Sequence, residues 1–140
     1  DALCVETRLY PGVMAAVERL RAAGYAVGVC TNKPERLAEA LLAELGVRDA
    51  FGALVGADTL PVRKPDPAPL LETVRRLGGD PALACPVGDT DTDRHTAAAA
   101  GVPCVMVTFG PAGDTVKALA PEAVIGHFDA LPRVVAGLGL

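Results

Sequence analysis

Residues 87–93 read Val-Gly-Asp-Thr-Asp-Thr-Asp, and this stretch decides how the rest of the chain is interpreted. An apolar run ends at Val87, three aspartates follow at alternate positions, and an alanine-rich segment leads to Gly101. This order predicts a buried strand, a tight turn and a helix. Carboxylates at the end of such a strand lie where open α/β sheets bind their ligands. Because the carboxylates repel one another, the segment predicts a site for a hard divalent cation, most naturally Mg²⁺.

Two simpler interpretations of the same stretch compete with a magnesium site. The spacing of Asp89, Asp91 and Asp93 matches the start of a calcium-binding EF-hand loop. However, Arg94 occupies the position that needs glycine, and Ala100 occupies the position of the bidentate glutamate. The threonines and aspartates could also cap the helix, where their side chains and charge are favourable. Capping still leaves Asp89 at the end of the strand.

The composition indicates one globular domain. The chain has 140 residues, of which 51% are hydrophobic and 21% are charged, with a net charge of -4. We therefore expect no nucleic-acid partner, and no membrane partner because no apolar run approaches the roughly 20 residues of a membrane span. The cysteines lack C-x-x-C or zinc spacing, so we interpret them as reduced core residues of a cytoplasmic protein. They are Cys4, Cys30, Cys85 and Cys104.

Strands alternate with helices along most of the chain. This alternation predicts a Rossmann-like, three-layer α/β/α domain with a mostly parallel sheet covered on both faces. The predicted strands are 26–30, 53–56, 83–87, 102–107 and 123–125, and the predicted helices are 13–23, 34–45, 68–77, a helix ending at 100, 115–119 and one from about 131.

Polar residues follow three of the predicted strands. Thr31 and Asn32 follow the first strand, Lys64 lies in a proline-rich loop after the second, and Asp89 follows the third. Since the carboxyl ends of parallel strands share one edge, these residues together describe a site for a phosphate with a metal ion. Each also has an ordinary explanation. Thr31 and Asn32 could cap the next helix, and an isolated Lys64 would be a solvated surface lysine.

The motifs resemble those of the haloacid-dehalogenase-like hydrolases. Residues 31–34 (Thr-Asn-Lys-Pro), 64–67 (Lys-Pro-Asp-Pro) and 88–93 resemble the second, third and fourth motifs of that family, in the same order. The surrounding sequence is similar to the phosphoglycolate phosphatase branch. The segments that carry this similarity are 9–13, 42–46, 55–61 and 98–103.

The resemblance implies a two-step hydrolysis of a phosphate monoester. An aspartate of the family's first motif attacks phosphorus, a second acid protonates the leaving group, and water hydrolyses the aspartyl-phosphate with Mg²⁺ as cofactor. By position, Thr31 holds a phosphoryl oxygen with Asn32 beside it, and Lys64 stabilises the nucleophile and the transferring group. Asp89 is the direct metal ligand, and Asp93 is a further ligand or a water-mediated partner.

The chain departs from the family at its beginning. It contains no apolar strand followed by Asp-x-Asp-Gly-Thr, so the nucleophile and the general acid are absent. We expect residues 1–9 to be the tail of an upstream segment, the end of a cap domain, and residues 10–140 to be the carboxyl-terminal part of the core. The central first strand of the sheet is then also expected to be missing, and this chain alone is predicted to be inactive.

The functional expectation therefore concerns the parent protein. It is a Mg²⁺-dependent phosphatase for a small phosphorylated metabolite, with 2-phosphoglycolate as the first substrate to test. The alternatives are a phosphomutase or another metabolite phosphatase on the same scaffold, or a non-catalytic interaction domain if the polypeptide truly starts at Asp1. The sequence does not decide whether the protein forms a homo-oligomer.

Overall fold

The computed structural model describes residues 2–5, 12–110 and 112–140. Its elements are β1 (Ala2–Val5), α1 (Val13–Ala22), β2 (Ala26–Cys30), α2 (Glu35–Glu44), β3 (Leu54–Val55), α3 (Ala68–Arg76), β4 (Cys85–Gly88), α4 (Asp91–Ala100), β5 (Val105–Val107), β6 (Ala123–Ile125) and α5 (Leu131–Gly137). Short 3-10 helices cover 48–50, 81–83, 113–119 and 128–130.

The predicted α-helices are confirmed within one or two residues, except for the segment at 115–119. The predicted strands 26–30 and 123–125 match the observed bounds, whereas 53–56, 83–87 and 102–107 differ from β3, β4 and β5 by one to three residues at their ends. Helix α4 ends at Gly101, whose φ of 71° is the left-handed conformation that glycine adopts without strain. Strand β4 begins at Cys85 because the preceding residues form a 3-10 turn. The Asp80 carboxylate accepts the Ala82 N–H at 2.9 Å in that turn and holds it closed. The segment predicted at 115–119 is part of a 3-10 helix.

The described strands form one six-stranded parallel sheet in the order β3-β2-β1-β4-β5-β6. Buried residues of α1, α2 and α5 belong to the core on one face, and those of α3 and α4 belong to the core on the other. The predicted three-layer α/β architecture is therefore confirmed. Long apolar side chains such as Leu20, Leu42 and Leu70 are fully buried between the sheet and these helices.

The expectation that the central strand is missing is wrong. Residues 2–5, Ala-Leu-Cys-Val, form β1 between β2 and β4, with Val5 opposite both Val29 and Val87. A gap at this place would leave two buried strand edges without hydrogen-bond partners, and the short apolar segment fills it. Residues 2–5 therefore belong to the sheet and not to an upstream tail. Residues 1 and 6–11 lie outside the described residues, so the cap assignment remains a prediction there.

Three cysteines lie in the core as expected. Cys30, Cys85 and Cys104 are buried free thiols, and burial is the main cause that raises the pKa of Cys85 to about 12. A thiol with so high a pKa is a poor nucleophile, so Cys85 acts as a packing residue. The side chain of Cys4 lies outside the described part. Among the described residues, no helix combines the length and the apolar character needed to cross a membrane.

Candidate active site

The residues predicted to form the site lie at the carboxyl edge of the sheet. Thr31 directly follows β2 and Asp89 directly follows β4, and these strands flank β1. Lys64 reaches the same edge from the loop between β3 and α3. All three are buried, with 4%, 2% and 7% of the surface of Thr31, Asp89 and Lys64 exposed. The structure thus brings together residues that are up to 58 positions apart in the chain (89 − 31 = 58).

Lys64 is a buried residue and not the surface lysine of the simpler interpretation. Its Nζ donates to Asp93 Oδ1 at 2.7 Å and to the backbone carbonyl of Cys30 at 3.1 Å. A buried ammonium group is tolerated only when it is paired and hydrogen-bonded, and these two contacts meet both conditions. The ammonium group is therefore held at the end of β2, beside the predicted phosphate-binding loop.

Asp93 accepts four hydrogen bonds from described residues. Besides the bond from Lys64, its Oδ2 accepts from the Asp89 N–H at 2.9 Å, from the Thr90 N–H at 3.1 Å and from the Thr90 hydroxyl at 3.1 Å. Burial by itself raises the pKa of the Asp93 carboxyl, but the Lys64 charge and these donors outweigh it and hold the pKa below its ordinary value. Asp93 is therefore an ionised group that fixes both Lys64 and the turn before α4.

Two further residues support this arrangement: Thr90, which confirms the helix-cap interpretation of this stretch, and Gly88, for which the sequence analysis gave no separate role. Thr90 is the N-cap residue of α4, and its N–H bond to Asp93, three residues later, is one half of a capping box. Gly88 lies directly under the Asp93 side chain. A Cβ at position 88 would lie 2.2 Å from the Asp93 Cβ. The signal for Thr90 was present in the spacing Thr-x-x-Asp, whereas the contact at Gly88 depends on the folded turn.

Asn32 joins the first two loops of the site. Its Nδ2 donates to the backbone carbonyl of Lys64 at 3.1 Å. The Thr31 hydroxyl oxygen accepts the Lys33 N–H at 3.1 Å, which fixes the Thr31 side chain at the end of β2. The N–H of Ala57 donates to the Lys33 carbonyl at 2.7 Å and anchors the same loop to the chain after β3. The predicted pair of Thr31 and Asn32 is thus held in one orientation relative to Lys64.

The start of α2 is capped from the chain after β3 and not by Thr31 or Asn32. The Asp58 carboxylate accepts the Glu35 N–H at 2.8 Å, and the Thr59 hydroxyl donates to the Glu35 carboxylate at 3.1 Å. The capping explanation for Thr31 and Asn32 is therefore wrong, because the Asp58 carboxylate caps the helix in their place. This leaves their side chains for the loop contacts described above.

The three alternate aspartates have different surroundings. Asp89 and Asp93 are buried, whereas Asp91 is exposed in the first turn of α4. Within the described residues, no group of three or more histidine, cysteine, aspartate or glutamate side chains is arranged to hold a metal. Mg²⁺ commonly binds one or two carboxylates and completes its octahedron with water and substrate phosphate. Asp89 at the strand end fits that kind of site, and the role of Asp93 as a ligand remains a prediction.

A cavity of about 20 Å³ lies beneath the Lys64–Asp93 pair. Thr96, Leu70 and Val87 also line it, so it is mostly apolar with polar groups at one end. A wider pocket of about 480 Å³ lies beside the turn before α4, where Asp91 faces the 3-10 helix at 113–119. The buried Lys64 cation, the ionised Asp93 carboxylate and the Thr31 hydroxyl thus lie at one edge of the sheet. This arrangement is suited to phosphoryl chemistry.

Comparison with known proteins agrees with this geometry. The family model of haloacid dehalogenase-like hydrolases matches residues 2–101. A phosphoglycolate phosphatase from Mesorhizobium japonicum is 49% identical over 131 residues, covering 94% of this chain and 58% of the relative. A phosphoglycolate phosphatase from Rhodospirillum rubrum is 47% identical over 123 residues, covering 88% of this chain and 51% of the relative.

A solved structure shows the same fold. The crystal structure of a predicted phosphoglycolate phosphatase from Haemophilus somnus superposes with a TM-score of 0.82 at 31% identity, over 91% of this chain and 57% of that protein. The 140 residues thus span a little over half the length of the relatives they match.

Proposed function

We propose, since this chain belongs to the haloacid dehalogenase-like hydrolases, that the whole natural protein hydrolyses the phosphate ester of a small metabolite, with 2-phosphoglycolate as the first substrate to test. The observation that carries the proposal is the buried Lys64 ammonium, fixed by Asp93 at 2.7 Å, at the same sheet edge as Thr31 and Asp89. The relatives named phosphoglycolate phosphatase support the choice of substrate.

The fixed side chains suit the charge changes of phosphoryl transfer. Negative charge spreads over the equatorial oxygens of the transferring group, and donors that are already in position stabilise it without reorganisation. Lys64 provides a positive charge that burial and Asp93 keep in one place. Thr31 provides a hydroxyl at the end of β2, and Asn32 ties that strand end to the Lys64 loop through its bond to the Lys64 carbonyl.

Mg²⁺ is the proposed cofactor, with Asp89 as its direct ligand and Asp93 as a further or water-mediated partner. Asp89 is a buried carboxylate at a strand end, which suits a hard cation that takes few protein ligands. When bound, Mg²⁺ would neutralise charge on the phosphoryl oxygens. The protein's own part is to fix the backbone at Asp89, through the bond from its N–H to Asp93, so that the carboxylate starts from a fixed position at the strand end.

The attacking carboxylate is proposed to come from outside these 140 residues. No apolar run in the chain is followed by the Asp-x-Asp-Gly-Thr pattern of the family's first motif. The site described here would then bind and stabilise the phosphoryl group, while a segment of the whole protein supplies the nucleophile and the general acid. The 140-residue chain by itself is accordingly predicted to release no phosphate.

The test is phosphate release by the whole natural protein from a panel of small monoesters, with Mg²⁺ and with EDTA. We expect hydrolysis of 2-phosphoglycolate that requires Mg²⁺ and is abolished by Asp89→Asn. The variant Asp91→Asn is the matched control, since Asp91 is exposed in the same turn, and it should retain most of the activity. Transfer of phosphate between hydroxyls of a sugar phosphate would favour a phosphomutase. No release from any monoester with Mg²⁺ would refute the phosphatase proposal.

A further inference from the structure

The outward side of helix α2 carries an unusually exposed apolar side chain. Leu37 is 56% exposed, the largest fraction for any large apolar side chain among the described residues. Ala38 and Leu42 are fully buried and so mark the side of α2 that faces the core. At about 100° per residue, the point opposite them on the helix is Ala40. The exposed residues around this point form a surface that we call the α2 face: Arg36, Leu37, Ala40, Ala43 and Glu44.

The charges of the α2 face are placed against the dipole of their own helix. Arg36 lies in the first turn and Glu44 is the last residue of α2, although a helix favours acids at its start and cations at its end. Within the part of the chain that the structure describes, neither side chain takes part in a hydrogen bond or an ion pair. The stability of the single chain therefore does not explain either charge.

A second copy of α2, packed antiparallel with Ala40 opposite Ala40, matches these charges. A two-fold axis through Ala40 brings together residues that are equally far from it in opposite directions. Arg36 and Glu44 lie four residues before and after Ala40, about 40° to either side of it, and the axis exchanges the two sides. Each Arg36 then faces a Glu44 of the other copy. The small alanine at the axis lets the helices approach to about 8 Å.

The same axis places Leu37 opposite Ala43 of the second copy. Beside Ala43 lies a pocket of about 310 Å³ at the end of α2. The other residues that line it are Gly46, Arg48 and Asp49. The Arg48 wall is fixed, because its Nη1 donates to the Phe51 carbonyl at 2.7 Å. A large apolar side chain therefore meets a small one beside a pocket, which is how the ridges of one helix fit the grooves of another.

We propose that the protein forms a two-fold symmetric dimer in which the α2 faces of two copies pack antiparallel. The charges select this direction, because a parallel pair would place Arg36 against Arg36 and Glu44 against Glu44. The inference does not depend on the proposed phosphatase function. The face of one ten-residue helix is smaller than the roughly 800 Å² per partner of a standard interface, so we expect a dissociation constant of about 10–100 µM.

The first test is sedimentation equilibrium of the whole natural protein from about 5 µM to about 500 µM, where we expect a monomer and a dimer in equilibrium. Arg36→Glu and Glu44→Arg should each raise the dissociation constant at least about tenfold, because two attractions become two repulsions. The double variant Arg36→Glu/Glu44→Arg exchanges the charges and should restore the original value within about threefold. Arg19→Glu is the matched control, since Arg19 is an exposed arginine of α1, and it should leave the dimer unchanged.

A cysteine at the axis tests the geometry directly. Ala40→Cys places two thiols opposite each other, so mild oxidation should link the dimer through a disulfide. Ala43→Cys on the same helix should not do so, because the two residues would lie about 9 Å apart along the helix axes, beyond the roughly 7 Å limit between Cα atoms. The unmodified protein gives the background from its natural cysteines.

Four results would overturn the inference: a protein that is monomeric up to about 500 µM, a dimer that Arg36→Glu does not weaken, no recovery in the double variant, or equal crosslinking at positions 40 and 43. A monomer in which the cysteine at position 40 is protected from a thiol reagent would also overturn it. That result would indicate that a part of the whole natural protein beyond these 140 residues covers the α2 face.

Discussion

Removing the buried Lys64 charge should destabilise the fold strongly. The side chains of Lys64 and Asp93 are only 6% and 5% exposed and lie 2.7 Å apart. Lys64→Met keeps most of the apolar stem but leaves the Asp93 carboxylate buried without its cation. Breaking a buried pair in this way costs about 3–5 kcal/mol, a large share of the roughly 5–15 kcal/mol by which domains of this size are stable.

The measurement is urea unfolding of the 140-residue chain at pH 7, followed by circular dichroism. The double variant Lys64→Met/Asp93→Asn should be more stable than Lys64→Met alone, because it removes the unpaired charge and keeps an oxygen for the Asp89 and Thr90 N–H groups. Lys117→Met is the control. Lys117 forms a 3.7 Å pair with Asp114, with side chains 62% and 81% exposed, and its loss should cost less than about 1 kcal/mol. Equal losses in Lys64→Met and Lys117→Met, or additive losses in the double variant, would refute the argument.

Three further predictions concern the turn before α4 and its acids. Gly88→Ala should lower the free energy of unfolding by about 1–3 kcal/mol, since its Cβ would lie 2.2 Å from the Asp93 Cβ, whereas Gly137→Ala, with no atom within 4 Å, should be neutral or slightly stabilising in the same urea assay. Because the pKa of Asp93 is lowered on folding, its contribution to stability is present above the ordinary aspartate pKa of about 3.9 and is lost as pH falls through the lowered value. Acid unfolding of Asp93→Asn should lack that component, and an identical pH profile for both proteins would contradict it. Mg²⁺ should raise the melting temperature of the whole natural protein, as expected for a ligand of the native state. Asp89→Asn should abolish that rise, and a rise of equal size in this variant would exclude Asp89 as the metal ligand.

The buried position of Lys64 shows where sequence interpretation reached its limit. The order of the strands predicted that Lys64 lies at the shared sheet edge, but one of the two partners that fix its ammonium group, the Cys30 carbonyl, is a backbone group with no sequence signature. Asp93 was expected near a metal, and the structure adds that its oxygens accept bonds from Lys64 and from the turn. The contact with Lys64 depends on residues 29 positions apart meeting at one sheet edge.

The position of residues 2–5 has a related explanation. Four apolar residues are too few to show a period, so the sequence alone could not assign them to a strand. Their pairing with β2 and β4 depends on hydrogen bonds that both neighbours would otherwise leave unmade. The tertiary structure therefore decides that residues 2–5 belong to the sheet. Their local sequence is compatible with a strand but does not require one.

The sequence by itself determined the alternation of strands and helices, the order of the three polar motifs and the edge of the sheet at which they meet. These properties follow from local hydrophobic patterns, from turn residues and from the rule that parallel strands end on one side. Only the tertiary structure decided which groups share contacts there: Asp93 with Lys64, Asn32 with the Lys64 loop, and Asp58 as the cap of α2. Hydrogen bonds act over about 3 Å, and distances on that scale between distant segments are settled when the core packs.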